Sequence, residues 1–300
     1  MTISGDPAIR SRNTGVTLIE LAITIALVGI LAAIIVQFVA PVRSYIDSSR
    51  RAALADTADT ALRRIGRDVR LALPNSTRAT TAGGIHYLEI MLARTGGRYR
   101  FDVDPAATAT CTGGFAADVL SFTAADTCFK TVGNIPNLSS VTANDYVVVY
   151  NLQPGTPNAS AYEFAGTGGN KSQIVAPLPV ALAGEDRISI SSHAFTFESP
   201  GNRFFIIEGP VSYICDPVAG TLTRRWGYNI VAAQPTVAFT GGSSALLASG
   251  VSACNFTYDA SVTAQGAGLV TMVLQLRMLD SRGDAENVNL YHAVHVNNVP

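Results

Sequence analysis

The chain has 300 residues, a net charge of −1, 14% charged residues and only two lysines, Lys130 and Lys171. That length holds one large domain or two modest ones. No basic cluster is interleaved with aromatics, which argues against a surface that tracks phosphates, so no nucleic-acid partner is expected.

The opening stretch, MTISGDPAIRSRNTG, is polar, with Arg10 and Arg12 shortly before Gly15. From Leu21 to Val42 no side chain is charged. At about 1.5 Å per residue, a helix over that run spans roughly 33 Å, enough to cross a bilayer's hydrocarbon core. The run exceeds the apolar region of a secretory signal and leads straight into helical periodicity, so it reads as a retained anchor. Two arginines precede the span, and Arg43, Arg50 and Arg51 follow it, so charge bias does not orient it. Glu20 stands at its front. A carboxylate there is a functional hypothesis with a partner to be named; the plainer account leaves it at headgroup level, where its cost is small.

Pro41 predicts a kink or the membrane exit. Beyond it, Ala58, Leu62, Ile65, Val69 and Ala72 recur at helical steps, an apolar stripe that should pack on the following domain. Asp59 stands four before Arg63, and Arg64 four before Asp68, spacings that pair charges along the opposite face. Pro74 and Asn75 predict the stop. The expected organisation is thus a leader at 1–15, a membrane or filament-core helix at 16–42, an amphipathic stem at 43–73 and a β-rich head at 74–300.

The head alternates short β-branched or aromatic runs (IHYLEIML, RYRFDV, DYVVVY, RISISS, RFFIIEG, VSYIC) with Gly, Pro, Asn and Asp. The clearest strand is LVTMVLQLRML, residues 269–279, with Val270, Met272, Leu274, Leu276 and Met278 on one face. GTGGNKS and TGGSSALLASG read as surface loops. The fold class is therefore α+β, a long N-terminal helix packed on a large antiparallel head of one or two sheets.

Cys111, Cys128, Cys215 and Cys254 show no metal-binding spacing. An even count beyond a membrane segment suggests disulfides, which would place the head outside the cytoplasm. Pairing Cys111 with Cys128 and Cys215 with Cys254 closes the more local loops. All three connectivities stay open, as do four buried thiols.

Catalytic and metal motifs do not survive inspection. GTGGNKS places Asn170 where a phosphate-binding loop needs glycine before its lysine. His292 and His295 sit three apart on a strand and point to opposite faces. His86 and His193 are isolated, and there is no calcium loop and no G-x-S-x-G elbow. No metal, no cofactor and no enzyme activity are expected.

The order G-V-T-L-I-E followed by an uncharged span resembles the prepilin leader of type IV pilins and type II secretion pseudopilins. The resemblance implies cleavage by a prepilin peptidase between Gly15 and Val16, methylation of Val16, and a glutamate at the fifth mature position, which Glu20 fills. Val16 departs from the usual phenylalanine. Once the leader is gone, the amine of Val16 is a counter-charge for Glu20, on its own subunit or a neighbour, and the pair sets subunit register. Further stretches, among them RRAALADTADTALRRIGRDVRLALPNS, SPGNRFFIIEGPVSYICDP and HAVHVNNVP, are similar to minor pilin-like subunits of mannose-sensitive haemagglutinin (MSHA) pilus systems, over most of Gly15 to Pro300. The likeness implies a subunit that initiates or caps a pilus. Its partners would be other minor pilins, the major pilin, an inner-membrane assembly platform and, before assembly, membrane lipid. Such a subunit crosses the inner membrane once, with its head in the periplasm or at a pilus tip. The alternatives are a tip adhesin using loops within 104–140 or 152–186, and a minor pseudopilin of type II secretion.

Overall fold

A computed structural model describes residues 15–103, 111, 118–163, 169–176, 178–182, 184–237, 239–263, 266–280 and 282–300, with the side chains of 39, 40, 43 and 261–263 left aside. The leader with Arg10 and Arg12, part of both loop regions and the start of GTGGNKS lie outside the described residues.

One helix, α1 (Leu18–Arg70, 53 residues), carries the front of the chain and continues unbroken through Pro41. It ends where the Leu71 N–H is shared between the carbonyls of Arg67 and Asp68. The Leu73 N–H then donates to Met91 at 2.8 Å, passing the chain from helix to sheet. Asn75 takes a left-handed conformation (φ 60°), which asparagine tolerates better than most residues. Its side-chain amide donates to the carbonyls of Asn151 and Asn298 and fixes the turn.

Among the described residues thirteen strands follow: β1 (Arg78–Ala82), β2 (Ile85–Arg98), β3 (Asp126–Lys130), β4 (Tyr146–Val149), β5 (Lys171–Gln173), β6 (Val180–Leu182), β7 (Glu185–His193), β8 (Arg203–Asp216), β9 (Thr221–Tyr228), β10 (Gly241–Ser249), β11 (Val251–Thr263), β12 (Ala267–Leu279) and β13 (Ala285–Asn297). All their pairings are antiparallel. Among the described residues they form three sheets, where the sequence suggests one or two. The seven-stranded sheet is built on β8, which pairs with β2 on one side. On the other side it pairs with β4 near its start and β9 near its end, and β10 lies outside β9. β11–β12–β13 and β3–β7–β6 are the smaller sheets.

The main core lies between the large sheet and a layer made of α1 and the β11–β13 sheet. Ala58, Leu62, Ile65, Val69 and Ala72 are all buried there, against Leu88 and Ile90 of β2, Tyr213 of β8 and the inward row of β12. That row is Val270, Met272, Leu274 and Leu276, each 1% exposed or less. Four such side chains remove roughly 6–12 kcal/mol of apolar contact from water. A second core joins β3 and β7 to the start of β8, and a third lies around Met91, Val148 and Tyr162. A disulfide between Cys215 of β8 and Cys254 of β11 ties the two main layers together, and another links Cys111 to Cys128 on β3.

Four sequence expectations need correction. The end of GTGGNKS is not a surface loop: Lys171 and Ser172 belong to β5, and Asn170 and Ser172 are buried. TGGSSALLASG is not a loop: Gly241–Ser249 is strand β10, held by a ladder to β9. RYRFDV is not a strand of its own: β2 ends at Arg98, beyond which Tyr99 makes an isolated bridge to Thr131 and the Arg100 N–H donates to the Lys130 carbonyl. Asp68 does not lie on the solvent face of the stem; it is 5% exposed, because partners distant in sequence draw it inward.

Candidate assembly site at the front of the chain

Gly15, Val16 and Thr17 precede the helix. Gly15 has open space around it, with nothing within 4 Å of where a Cβ would stand. Val16 is 69% exposed. Thr17 caps the helix: its backbone is extended (φ −73°, ψ 151°), and its hydroxyl accepts the Glu20 N–H at 3.3 Å. T-L-I-E is thus the Ser/Thr-x-x-Glu signature of a helix start, a local signal for the boundary that the hydropathy pattern did not supply. It puts Glu20 in the first turn, where the positive end of the helix dipole favours a carboxylate by about 0.3–1 kcal/mol. Glu20 itself is exposed.

The shell behind it is unusual for a folded chain. From Leu18 to Phe38 the mean hydropathy is 2.7, and none of that window is buried. Leu, Ile and Val are exposed on every side of the helix rather than along one stripe. A helix that is apolar all round belongs in lipid or inside a larger assembly. Among the described residues this is the one helix long and apolar enough to cross a membrane.

The stem half of α1 is held instead by polar and apolar contacts. Arg51 donates to Glu286 at the start of β13, and Asp59 pairs with Arg63 at 2.6 Å. Arg64 stands 3.7 Å from Asp68, which Arg224 of β9 and Tyr213 of β8 also bind. Gly66 lies against β13: a Cβ there would stand 2.9 Å from Nε2 of His292 and 3.2 Å from Cγ2 of Val294. Mid-helix glycine costs about 1 kcal/mol relative to alanine, and here it permits close packing of helix on strand.

The remaining candidates are dispersed. His292 faces α1 while His295 is exposed. His193 is buried, with Nε2 3.2 Å from the Gly169 carbonyl and its ring edge-on to Phe195. The Lys171 ammonium donates to the carbonyls of Ala161 and Glu163 instead of facing an open loop. Among the described residues no group of three or more His, Cys, Asp or Glu side chains could hold a metal ion.

A family model described as the prokaryotic N-terminal methylation motif matches residues 10–36. The matched segment contains Gly15, Val16, Thr17 and Glu20. No curated protein and no solved structure matches the chain.

Proposed function

We propose that the chain is a minor subunit of a type IV pilus of the MSHA kind, cleaved between Gly15 and Val16, methylated on Val16 and helping to initiate or cap the fibre. The prepilin motif supports the broader placement among type IV pilins and pseudopilins, with prepilin peptidase and other pilins as partners. Such proteins are structural rather than enzymatic. The finer assignment rests on the head stretches that resemble MshO, a minor pilin-like protein of that system.

The observation that carries the reading is the contrast within one helix. From Leu18 to Phe38 α1 buries nothing, while from Ala58 to Val69 it buries a full stripe. The front half must therefore be covered by something outside the chain, first lipid and then the helices of other subunits. Exchanging lipid for helices gains little hydrophobic energy, so docking needs a polar determinant for register. The Val16 amine released by cleavage and the Glu20 carboxylate supply it. An unpaired Glu20 in that setting stays penalised, and pairing offsets the penalty.

N-terminal sequencing and mass spectrometry of the protein from its native membrane test this directly. A chain starting at methylated Val16 is expected; a mature start anywhere else removes the counter-charge and the reading with it. The minor pseudopilin of type II secretion shares the same front end. Deleting the gene and scoring surface pili against secreted protein separates the two.

A further inference from the structure

A groove of about 820 Å³ runs between α1 and β10. Arg63, Arg64, Arg67 and Arg70 line its helix wall, Leu246 and Leu247 its sheet wall, and His292 also borders it. Arg63 is paired with Asp59 and Arg64 approaches Asp68. Arg67 and Arg70 enter no ion pair among the described residues, and both are exposed.

The opposite wall belongs to β10, the last strand of its sheet beyond β9 among the described residues. Among the described residues β10 is laddered to β9 alone, so the peptide groups along its other side face away from the sheet. Its nine residues, GGSSALLAS, contain no charge and no proline, and Leu246 is 60% exposed. One irregularity, between Leu246 and Ala248, interrupts the ladder. Proteins normally shield an edge of this length with charged side chains, proline or a covering element. A bare edge beside a charged wall is suited to adding an extended peptide as another strand: main-chain bonds bind it and side chains select it.

We infer that this groove binds an extended acidic segment of a partner polypeptide, added as a strand on β10 with its carboxylates on Arg67 and Arg70. Anionic lipid headgroups have the same charge but the wrong height. With Leu18–Phe38 in the bilayer, Arg67 stands about 40 Å along the helix above it. A second copy fits poorly as well. Pairing β10 with itself about a two-fold axis normal to the sheet leaves both helices on one face and brings two arginine rows together. The inference holds for a pilus and for a secretion pseudopilus alike.

The test uses the full chain in uncharged detergent micelles and a synthetic peptide of alternating glutamate and threonine, long enough to span β10. In a strand that alternation places every carboxylate on one face. Control peptides replace glutamate with lysine, or N-methylate alternate backbone nitrogens so that ladder hydrogen bonds cannot form. The acidic peptide should bind, slow hydrogen exchange of β10 amides, and weaken about tenfold in the double variant R67Q/R70Q. The N-methylated peptide should fail to bind. The inference is overturned by no binding, by equal binding of the lysine or N-methylated peptide, or by an unchanged affinity in R67Q/R70Q. It is also overturned if a single-stranded oligonucleotide, or phosphatidylglycerol mixed into the micelles, competes the acidic peptide away. N-terminal sequencing, which tests the pilus reading, has no bearing on these outcomes, so the two fail separately.

Discussion

Asp68 on α1 and Arg224 on β9, 156 positions apart in the chain, meet inside the head. Nε of Arg224 donates to Oδ2 of Asp68 at 2.9 Å, and the Tyr213 hydroxyl donates to the same oxygen at 2.5 Å. The guanidinium lies 5.0 Å from the centre of the Trp226 ring. This network fastens the stem to the large sheet at a defined axial position, where the apolar stripe alone would tolerate sliding. Removing one partner strands the other charge. Asp68→Ala should therefore lower stability by about 3–5 kcal/mol in urea unfolding. Replacing the pair together, Asp68→Leu with Arg224→Met, should recover most of that loss. A loss below about 1 kcal/mol for Asp68→Ala would show that the pair contributes little.

The register of α1 against β13 depends on Gly66. Alanine there gains helix propensity of up to about 1 kcal/mol but meets Nε2 of His292 at 2.9 Å and buried Val294 at 3.2 Å. Crowding of this kind costs about 1–3 kcal/mol, so Gly66→Ala should destabilise on balance. Adding His292→Ala opens the space on one side, and the double variant should be more stable than Gly66→Ala alone. Thermal unfolding of the three chains compares them directly; a Gly66→Ala chain more stable than the parent would refute the close-packing account.

Cys215 and Cys254 join β8 to β11 across the main core, 39 positions apart. Closing a loop of that length restricts the unfolded chain by about 4 kcal/mol in the chain-entropy account, and measured losses run at about 2–5 kcal/mol. Cys215→Ala with Cys254→Ala should thus lower stability within that range, and reductant should lower the parent by more than it lowers the double variant, which keeps the Cys111–Cys128 bond. A parent indifferent to reductant in unfolding assays would sink the prediction.

His193 supplies a pH dependence. Burial holds its pKa below the ordinary histidine value; the Gly169 carbonyl opposes that shift and the Lys171 charge adds to it. The unfolded chain takes up the proton near pH 6.5 and the folded chain only at lower pH. The stability associated with neutral His193 is therefore fully present above about pH 6.5 and lost as pH falls through the folded value. The difference in stability between the parent and His193→Gln should narrow, in the parent's disfavour, on acidification from about pH 7 to 5. A difference that stays constant over that interval would contradict it.

How far the sequence carries can be judged from three elements. The stem stripe and the β12 alternation are legible because each is a local periodicity, written in consecutive side chains. β10 is not. Glycine, serine and alanine give GGSSALLAS the composition of a loop, and it becomes a strand only because β9 offers a ladder, a tertiary effect that overrides weak local preference. Asp68 reads as a solvent-face residue for a similar reason: the helical spacing shows Arg64 nearby, whereas Arg224 and Tyr213 come from elsewhere in the chain. At the front end the opposite holds. Thr17 and Glu20 are three apart, so the cap is readable, and the charge-pairing proposal concerns an amine that exists only after cleavage.

That leaves Glu20 with two physical roles to be separated. As the third residue of a capped helix it stabilises the first turn; as a carboxylate beside the Val16 amine it would set register between subunits. Thr17→Val removes the hydroxyl that accepts the Glu20 N–H and should cost the helix end about 1 kcal/mol while leaving the carboxylate in place. Glu20→Gln keeps the size and the hydrogen-bonding capacity of the first turn but discards the charge. If the counter-charge matters, both variants should be cleaved between Gly15 and Val16. Co-purification with partner subunits should then fall strongly in Glu20→Gln and stay near the parent level in Thr17→Val. Equal loss in the two variants would assign Glu20 to helix capping, and full assembly of Glu20→Gln would remove the charge from the mechanism altogether.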